Sequence, residues 1–152
     1  MNKSLIIGVI GQYKCDSKLY KRAEGVGKEI ARRGHTLVCG GMGGVMEAAC
    51  KGAKSVGGLT VGILPGKDKS EGNKFVDVPI VTAMSHARNA IIVRTADAVI
   101  AVGGKYGTLS EIGLALSISK KVYGLGTWKI PGVIPVASPQ QALDKIEEEF
   151  SK

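Results

Sequence analysis

Aromatic side chains are scarce: one Trp, four Tyr and two Phe, 5% of the chain. A surface that stacks single-stranded nucleic acid needs more of them. Proline is scarce too, at 5 residues. The glycine described below is therefore not part of a disordered Pro/Gly tract. The 3 cysteines, Cys15, Cys39 and Cys50, are odd in number and show no CxxC spacing. Only His35 and His86 add imidazole, so neither a disulfide framework nor a metal site is indicated. No apolar run approaches the roughly 18 residues of a membrane span. The start, Met-Asn-Lys and then Ser-Leu-Ile-Ile-Gly-Val-Ile, lacks the length and cleavage site of a signal peptide. A soluble, cytoplasmic protein with no membrane partner is expected.

Glycine is what the chain has in excess: 22 of 152 residues, about twice the usual share of about 7%. There is no G-X-Y period, which excludes collagen. Hydrophobic residues make up 44%, enough for one sizeable core. The length predicts a single domain over residues 1–152.

The net charge is +8, and it is uneven. Residues 1–75 hold 13 basic and 6 acidic side chains, whereas residues 76–152 hold 8 and 7. A basic half points to an anionic ligand or partner. The segment Lys14–Arg33 carries seven of the cations, interleaved with Asp16, Glu24 and Glu29. They are spread around a helix and read as a solvated face. Nucleic-acid binding has only charge in its favour and is not expected.

Short apolar runs alternate with amphipathic ones. Leu5–Ile10, Thr36–Cys39, Thr60–Leu64, Ala98–Val102 and Val122–Leu125 read as strands, with Pro79–Val81 and Ile134–Val136 as weaker candidates. They are apolar on consecutive residues, the mark of strands buried on both faces of a parallel sheet. Leu19–Arg33, Val45–Val56, His86–Arg94, Leu109–Ser119 and Pro139–Phe150 read as helices. Ser85, Thr108 and Ser138 are the expected N-caps of the last three. Gln141 completes a capping box in the last, and Thr108 with Glu111 forms another. Glu147, Glu148 and Glu149 read as a solvated face. The alternation predicts a doubly wound, mainly parallel α/β sheet with helices on both faces, a Rossmann-like fold.

The glycines gather where these strands end. Gly8 and Gly11 end the first, Gly40, Gly41, Gly43 and Gly44 follow the second, and Gly66 the third. Gly103, Gly104 and Gly107 follow Ala98–Val102, and Gly124 and Gly126 end Val122–Leu125. In a parallel sheet those ends share one edge, where open α/β sheets bind ligands. Two of the loops open into helices, whose N-terminal N–H groups suit phosphate. There is no GxxxxGK[ST], so no P-loop is present. Gly8-Val9-Ile10-Gly11 does not extend to GxGxxG, and no acidic residue follows the second strand for a ribose diol. An ordinary NAD site is not expected.

Ala101-Val102-Gly103-Gly104-Lys105-Tyr106-Gly107-Thr108-Leu109-Ser110-Glu111 resembles the GGxGTxxE motif of the Lonely Guy (LOG) superfamily, long labelled lysine decarboxylase-like. Ser85-His86-Ala87-Arg88-Asn89 resembles its upstream arginine motif, and Gly40–Met46 its first glycine loop. The resemblance spans nearly the whole chain. Gly103 stands in place of the family's Pro, Lys105 in place of a Gly and Asn89 in place of a Lys. With Gly62-Ile63-Leu64-Pro65-Gly66, these features look more like the small molybdenum-cofactor carrier branch.

That resemblance implies a binding or carrier protein for a phosphorylated nucleotide-type ligand, either a nucleoside monophosphate or a molybdopterin-type cofactor. The alternative it implies is a phosphoribohydrolase that cleaves the N-glycosidic bond of a nucleoside 5′-monophosphate. No lysine has a pyridoxal-linkage context, so a decarboxylase is not expected. A homo-oligomer, dimer or tetramer, is implied by related proteins.

The candidate ligand residues are Gly11, Gly40, Gly41, Gly43, Gly44, Met46, Arg88, Gly103, Gly104, Lys105, Tyr106, Gly107, Thr108 and Glu111. Arg88 would grip phosphate or carboxylate in fork geometry. In a hydrolase Glu111 would face the oxocarbenium-like transition state. Near a helix N-terminus it is expected to stay ionised. Arg94 is expected to pair with Asp97 without functional consequence.

Overall fold

Consecutive apolar residues need cover on both sides, and the chain provides it. The computed structural model describes residues 3–152. Its strands are β1 (Ile6–Gly11), β2 (Thr36–Cys39), β3 (Thr60–Leu64), β4 (Val78–Val81), β5 (Ala98–Val102), β6 (Val122–Leu125) and β7 (Val133–Pro135). They form one sheet in the order β4-β3-β2-β1-β5-β6-β7. Every adjacent pair is parallel. The helices are α1 (Ser17–Arg32), α2 (Val45–Ser55), α3 (Asn89–Thr95), α4 (Tyr106–Ser117) and α5 (Pro139–Phe150).

The core divides at the sheet. On β5, Ala98, Ile100 and Val102 face a cluster built with Ala23, Val26 and Ile30 of α1, with α2, and with Leu143 and Ile146 of α5. Val99 and Ala101 face the opposite cluster, built with Ile92 and Val93 of α3 and Ile112 and Ala115 of α4. The fold is therefore a doubly wound, Rossmann-like α/β sheet, as expected. The weaker strand candidates prove to be the edges. β4 pairs only with β3 and β7 only with β6. Each contains a proline, Pro79 or Pro135, which an edge tolerates because no neighbour needs its missing N–H.

Four sequence-based expectations need correction. Gly8 and Gly124 lie inside β1 and β6, not at their ends. Gly8 lets Ala96 close on the sheet: a methyl group there would stand 3.0 Å from the Ala96 Cβ. Arg94 does not hold Asp97, whose carboxylate accepts the Ile6 N–H at 2.8 Å and ties β5 to β1. Glu147 is not merely solvated. It accepts from Arg33 at 2.8 Å and lies 2.8 Å from His35 Nε2. The Leu5 N–H donates to His35 Nδ1 at 3.0 Å, so the ring proton sits on Nε2 and donates to Glu147. The Arg33 and His35 bonds hold the Glu147 carboxyl below its ordinary range despite burial. Finally, Gln141 caps α5 one residue early. Ser138 Oγ accepts the Gln141 N–H at 3.1 Å, but the Gln141 side chain takes the Ala137 N–H at 2.7 Å.

Two glycines set the approach of α1 and α2. A methyl group at Gly27 would stand 1.8 Å from the Ala49 carbonyl oxygen, and one at Gly52 1.9 Å from that of Glu24. Gly113 of α4 has nothing within 4 Å of such a methyl. Gly27→Ala should therefore destabilise the protein by about 1–3 kcal/mol through overpacking. Gly113→Ala should stabilise it by up to about 1 kcal/mol through helix propensity. Urea denaturation of the two variants checks this; equal effects would refute the close-packing role.

Candidate functional site

The strand order reverses between β1 and β5, and a cavity of about 720 Å³ opens there at the carboxyl ends of the strands. Seven of the predicted residues line it: Gly11, Met46, Arg88, Lys105, Gly107, Thr108 and Glu111. Gly40, Gly41, Gly43, Gly44, Gly103, Gly104 and Tyr106 do not. Gly103 and Gly104 instead line a smaller neighbouring cleft of about 370 Å³, and Tyr106 is 82% exposed.

The glycines off the wall act as spacers. A methyl group at Gly40 would stand 2.7 Å from Arg88 Nη2 and 2.7 Å from Met46 Sδ, so its absence makes room for the arginine. Gly44 has φ +62°, and a methyl there would meet the Tyr13 and Gln12 carbonyl oxygens at 2.2 and 2.4 Å. That conformation brings α2 under the loop after β1, and the Val45 N–H donates to the Gln12 carbonyl at 3.0 Å. Gly104, at φ +117°, donates its N–H to Gln12 Oε1 at 2.9 Å. Both glycine loops thus converge on residues 12–14. Sequence reasoning missed that Gln12, Tyr13, Lys14, Met42 and Pro65 line the cavity. Met42 and Pro65 lie in segments that carry the resemblance, but no motif marks Gln12, Tyr13 or Lys14; only the strand order brings their loops together.

Both helix starts differ from expectation. α4 begins at Tyr106 with Lys105 at the cap position, and no side chain caps it. Thr108 is inside the first turn, so the Thr108–Glu111 capping box does not form. The first-turn N–H groups are left for something else. Residues Ser85–Arg88 form a short 3₁₀ turn before α3, and Ser85, at φ +53°, caps nothing. Arg88 ends that turn and points inward, buried rather than solvated.

Arg88 is poorly matched by the protein. It donates to Asn89 Oδ1 and has Met42 Sδ 4.0 Å from Nη2. Its buried Nε has no partner. Among the described residues it makes no salt bridge. Burial lowers its pKa, opposed by the charges of Glu111 and Cys39. Burial also pushes the Glu111 carboxyl up to about 7, against the pull of Arg88. That corrects the expectation of a permanently ionised Glu111. With α4 starting at Tyr106, Glu111 sits in the second turn, beyond the reach of the dipole. Beneath the site Cys39 and Cys50 are free, with sulfurs 3.6 Å apart.

The model of the SLOG cluster4 family matches residues 4–150. The chain belongs to that family. A SLOG cluster4 chain with this sequence is also 51% identical to a protein of Archaeoglobus fulgidus, over 93% of this chain and 94% of the other. Its fold is similar to that of a solved molybdenum cofactor binding protein from the phototrophic bacterium Rippkaea orientalis. That likeness has a TM-score of 0.92 and 37% identity over 99% of each chain. The LOG cytokinin riboside 5′-monophosphate phosphoribohydrolase of Oryza sativa subsp. japonica is 38% identical over 66% of this chain. The match covers less than half of the rice protein, 45% of its length. The SLOG cluster4 chain thus falls in the LOG-like superfamily near the molybdenum-cofactor carrier branch.

The raised carboxyl has a measurable consequence. Unfolded, Glu111 titrates near 4.5; folded, at about 7. Between those values the native state binds more protons, so stability falls as pH rises through the window. The slope is at most about 1.4 kcal/mol per pH unit. Asp77 and Glu147, held below their ordinary range, titrate beneath that window. Urea denaturation at about pH 5 and about pH 7.5 should show the loss, and Glu111→Gln should largely abolish it. An unchanged pH dependence in the variant would place the effect elsewhere.

Proposed function

We propose that this cavity binds a phosphorylated, nucleotide-type ligand and that the protein acts as its binding or carrier protein. The observation that carries the reading is Arg88, a buried cation whose Nε has no partner. It shares a cavity wall with Gly107 and Thr108 in the uncapped first turn of α4. A phosphate would accept from the guanidinium and from the free N–H groups together. Lys14 and Lys105 add positive charge at the same wall. A volume of about 720 Å³ is in the range that holds a small ligand.

The same residues fit a molybdopterin-type ligand, which carries a phosphate for Arg88 and the α4 amides and a flat ring for the rest of the cavity. The likeness to the Rippkaea orientalis protein supports that choice. Such a ligand would be cargo, with its reactivity its own. The chain's part is to grip the phosphate and exclude water from the ring. We read residues 1–152 as one such binding domain, cytoplasmic and assembled as a homo-oligomer; light scattering checks the last point.

A second reading has its own support. Glu111 shares the cavity with Arg88, and its carboxyl near 7 exchanges a proton readily at neutral pH. In a phosphoribohydrolase it would take a proton from the water that adds at C1′ as the base departs. Incubation with a panel of nucleoside 5′-monophosphates separates the readings. We expect saturable binding without release of free base, weakened at least about tenfold in Arg88→Ala. Release of base, lost in Glu111→Gln, would establish the hydrolase instead. No binding of any nucleoside monophosphate by the wild type would reject the hydrolase and the nucleotide form of the carrier reading, and leave only the molybdopterin form.

A further inference from the structure

The phosphate site leaves open what recognises the rest of the ligand. The cavity wall holds one phenol ring, that of Tyr13. Tyr13 is 54% exposed although it lines the cavity, so much of its surface is unpacked. The one aromatic pair among the described residues is Tyr106 with Trp128; no ring covers Tyr13.

Its backbone is unusually well held for a loop residue. Gly43 and Gly44 pass directly beneath it; methyl groups there would stand 3.3 and 2.2 Å from the Tyr13 carbonyl oxygen. The preceding residue is tied at three points. The Gln12 carbonyl accepts the Val45 N–H. Gln12 Oε1 accepts the Gly104 N–H at 2.9 Å, and Gln12 Nε2 donates to the Lys14 carbonyl at 2.9 Å. A fixed backbone carrying a half-bare ring is a preorganised stacking platform. His86 also reaches the wall, but from the turn that carries the anion-gripping Arg88. Tyr13 comes from the loop after a different strand, and Gln12 links that loop to the one before α4.

We propose that Tyr13 selects a planar heteroaromatic ring on the ligand, stacking on it while Arg88 and the first turn of α4 hold the phosphate. This rests on the phosphate-site reading above. It assigns ring recognition to a residue outside every glycine and arginine motif of the chain. The hydroxyl is not needed for stacking, so the face of the ring is the selective element.

Two probes separate the parts: guanosine 5′-monophosphate, with a ring, and ribose 5-phosphate, without one. Calorimetric titration of the full chain should show tighter binding of the nucleotide. Tyr13→Ala should weaken the nucleotide roughly 5- to 100-fold, the equivalent of losing one aromatic–base stack, and leave ribose 5-phosphate unchanged. Tyr13→Phe should retain wild-type affinity. Tyr13→Leu, which keeps bulk without a π face, should behave like Tyr13→Ala and guards against a misfolded alanine variant. Equal nucleotide affinity in wild type and Tyr13→Leu would overturn the proposal. So would an equal loss of both probes, or a loss in His86→Ala in place of Tyr13→Ala. If the wild type binds neither probe, the phosphate-site reading falls and takes this inference with it. If it binds ribose 5-phosphate and nucleotide alike, only the ring inference falls.

Discussion

Arg88 is a permanent cation taken out of water without a carboxylate to meet it. An unmatched buried charge costs several kcal/mol even after the surroundings relax. A fold keeps such a group only if something else gains from it. Here the surroundings are arranged around that charge. Gly40 has no side chain where Arg88 lies. Asn89 turns its carbonyl to it, and Met42 gives it a polarizable sulfur. Glu111 is near enough to feel it but not near enough to pair, so burial still holds that carboxyl near 7. Neither group meets an opposite charge in a salt bridge among the described residues.

The rest of the architecture delivers the groups to that point. Parallel strands put every βα loop on one edge, and the reversal between β1 and β5 opens the gap. The glycine excess then has two uses. Gly27 and Gly52 let α1 and α2 approach backbone to backbone. Gly43, Gly44 and Gly104 press the loops after β2 and β5 against residues 12–14. Few of the glycines touch the cavity themselves. They fix the loops that do.

Much of the fold was legible in the sequence, for a physical reason. Strands such as Thr36–Cys39 and Ala98–Val102 are buried on both faces, so their unbroken apolar runs are visible without knowing their neighbours. The cavity's two buried ionisable residues were legible too, because Arg88 and Glu111 sit in recognisable motifs. The helix starts were not. Thr108 and Ser85 carry good capping side chains, but α4 begins at Tyr106 and a 3₁₀ turn precedes α3. Loop geometry outweighed capping preference. The state of Glu111 was misjudged because a helix dipole can be read from position, whereas burial cannot. Tyr13 and Lys14 were invisible as site residues, since only the packing of three loops makes them neighbours of Arg88.

The central claim is that a ligand anion completes the charge of Arg88 beside Glu111. NMR titration of the Glu111 side-chain carboxyl tests it most directly, with and without inorganic pyrophosphate. The free protein should titrate at about 7. Bound pyrophosphate should raise that value further, because it neutralises Arg88 and places negative charge nearby. The same addition should leave Glu111 unmoved in Arg88→Met. A wild-type carboxyl that titrates identically with and without saturating pyrophosphate would contradict the account.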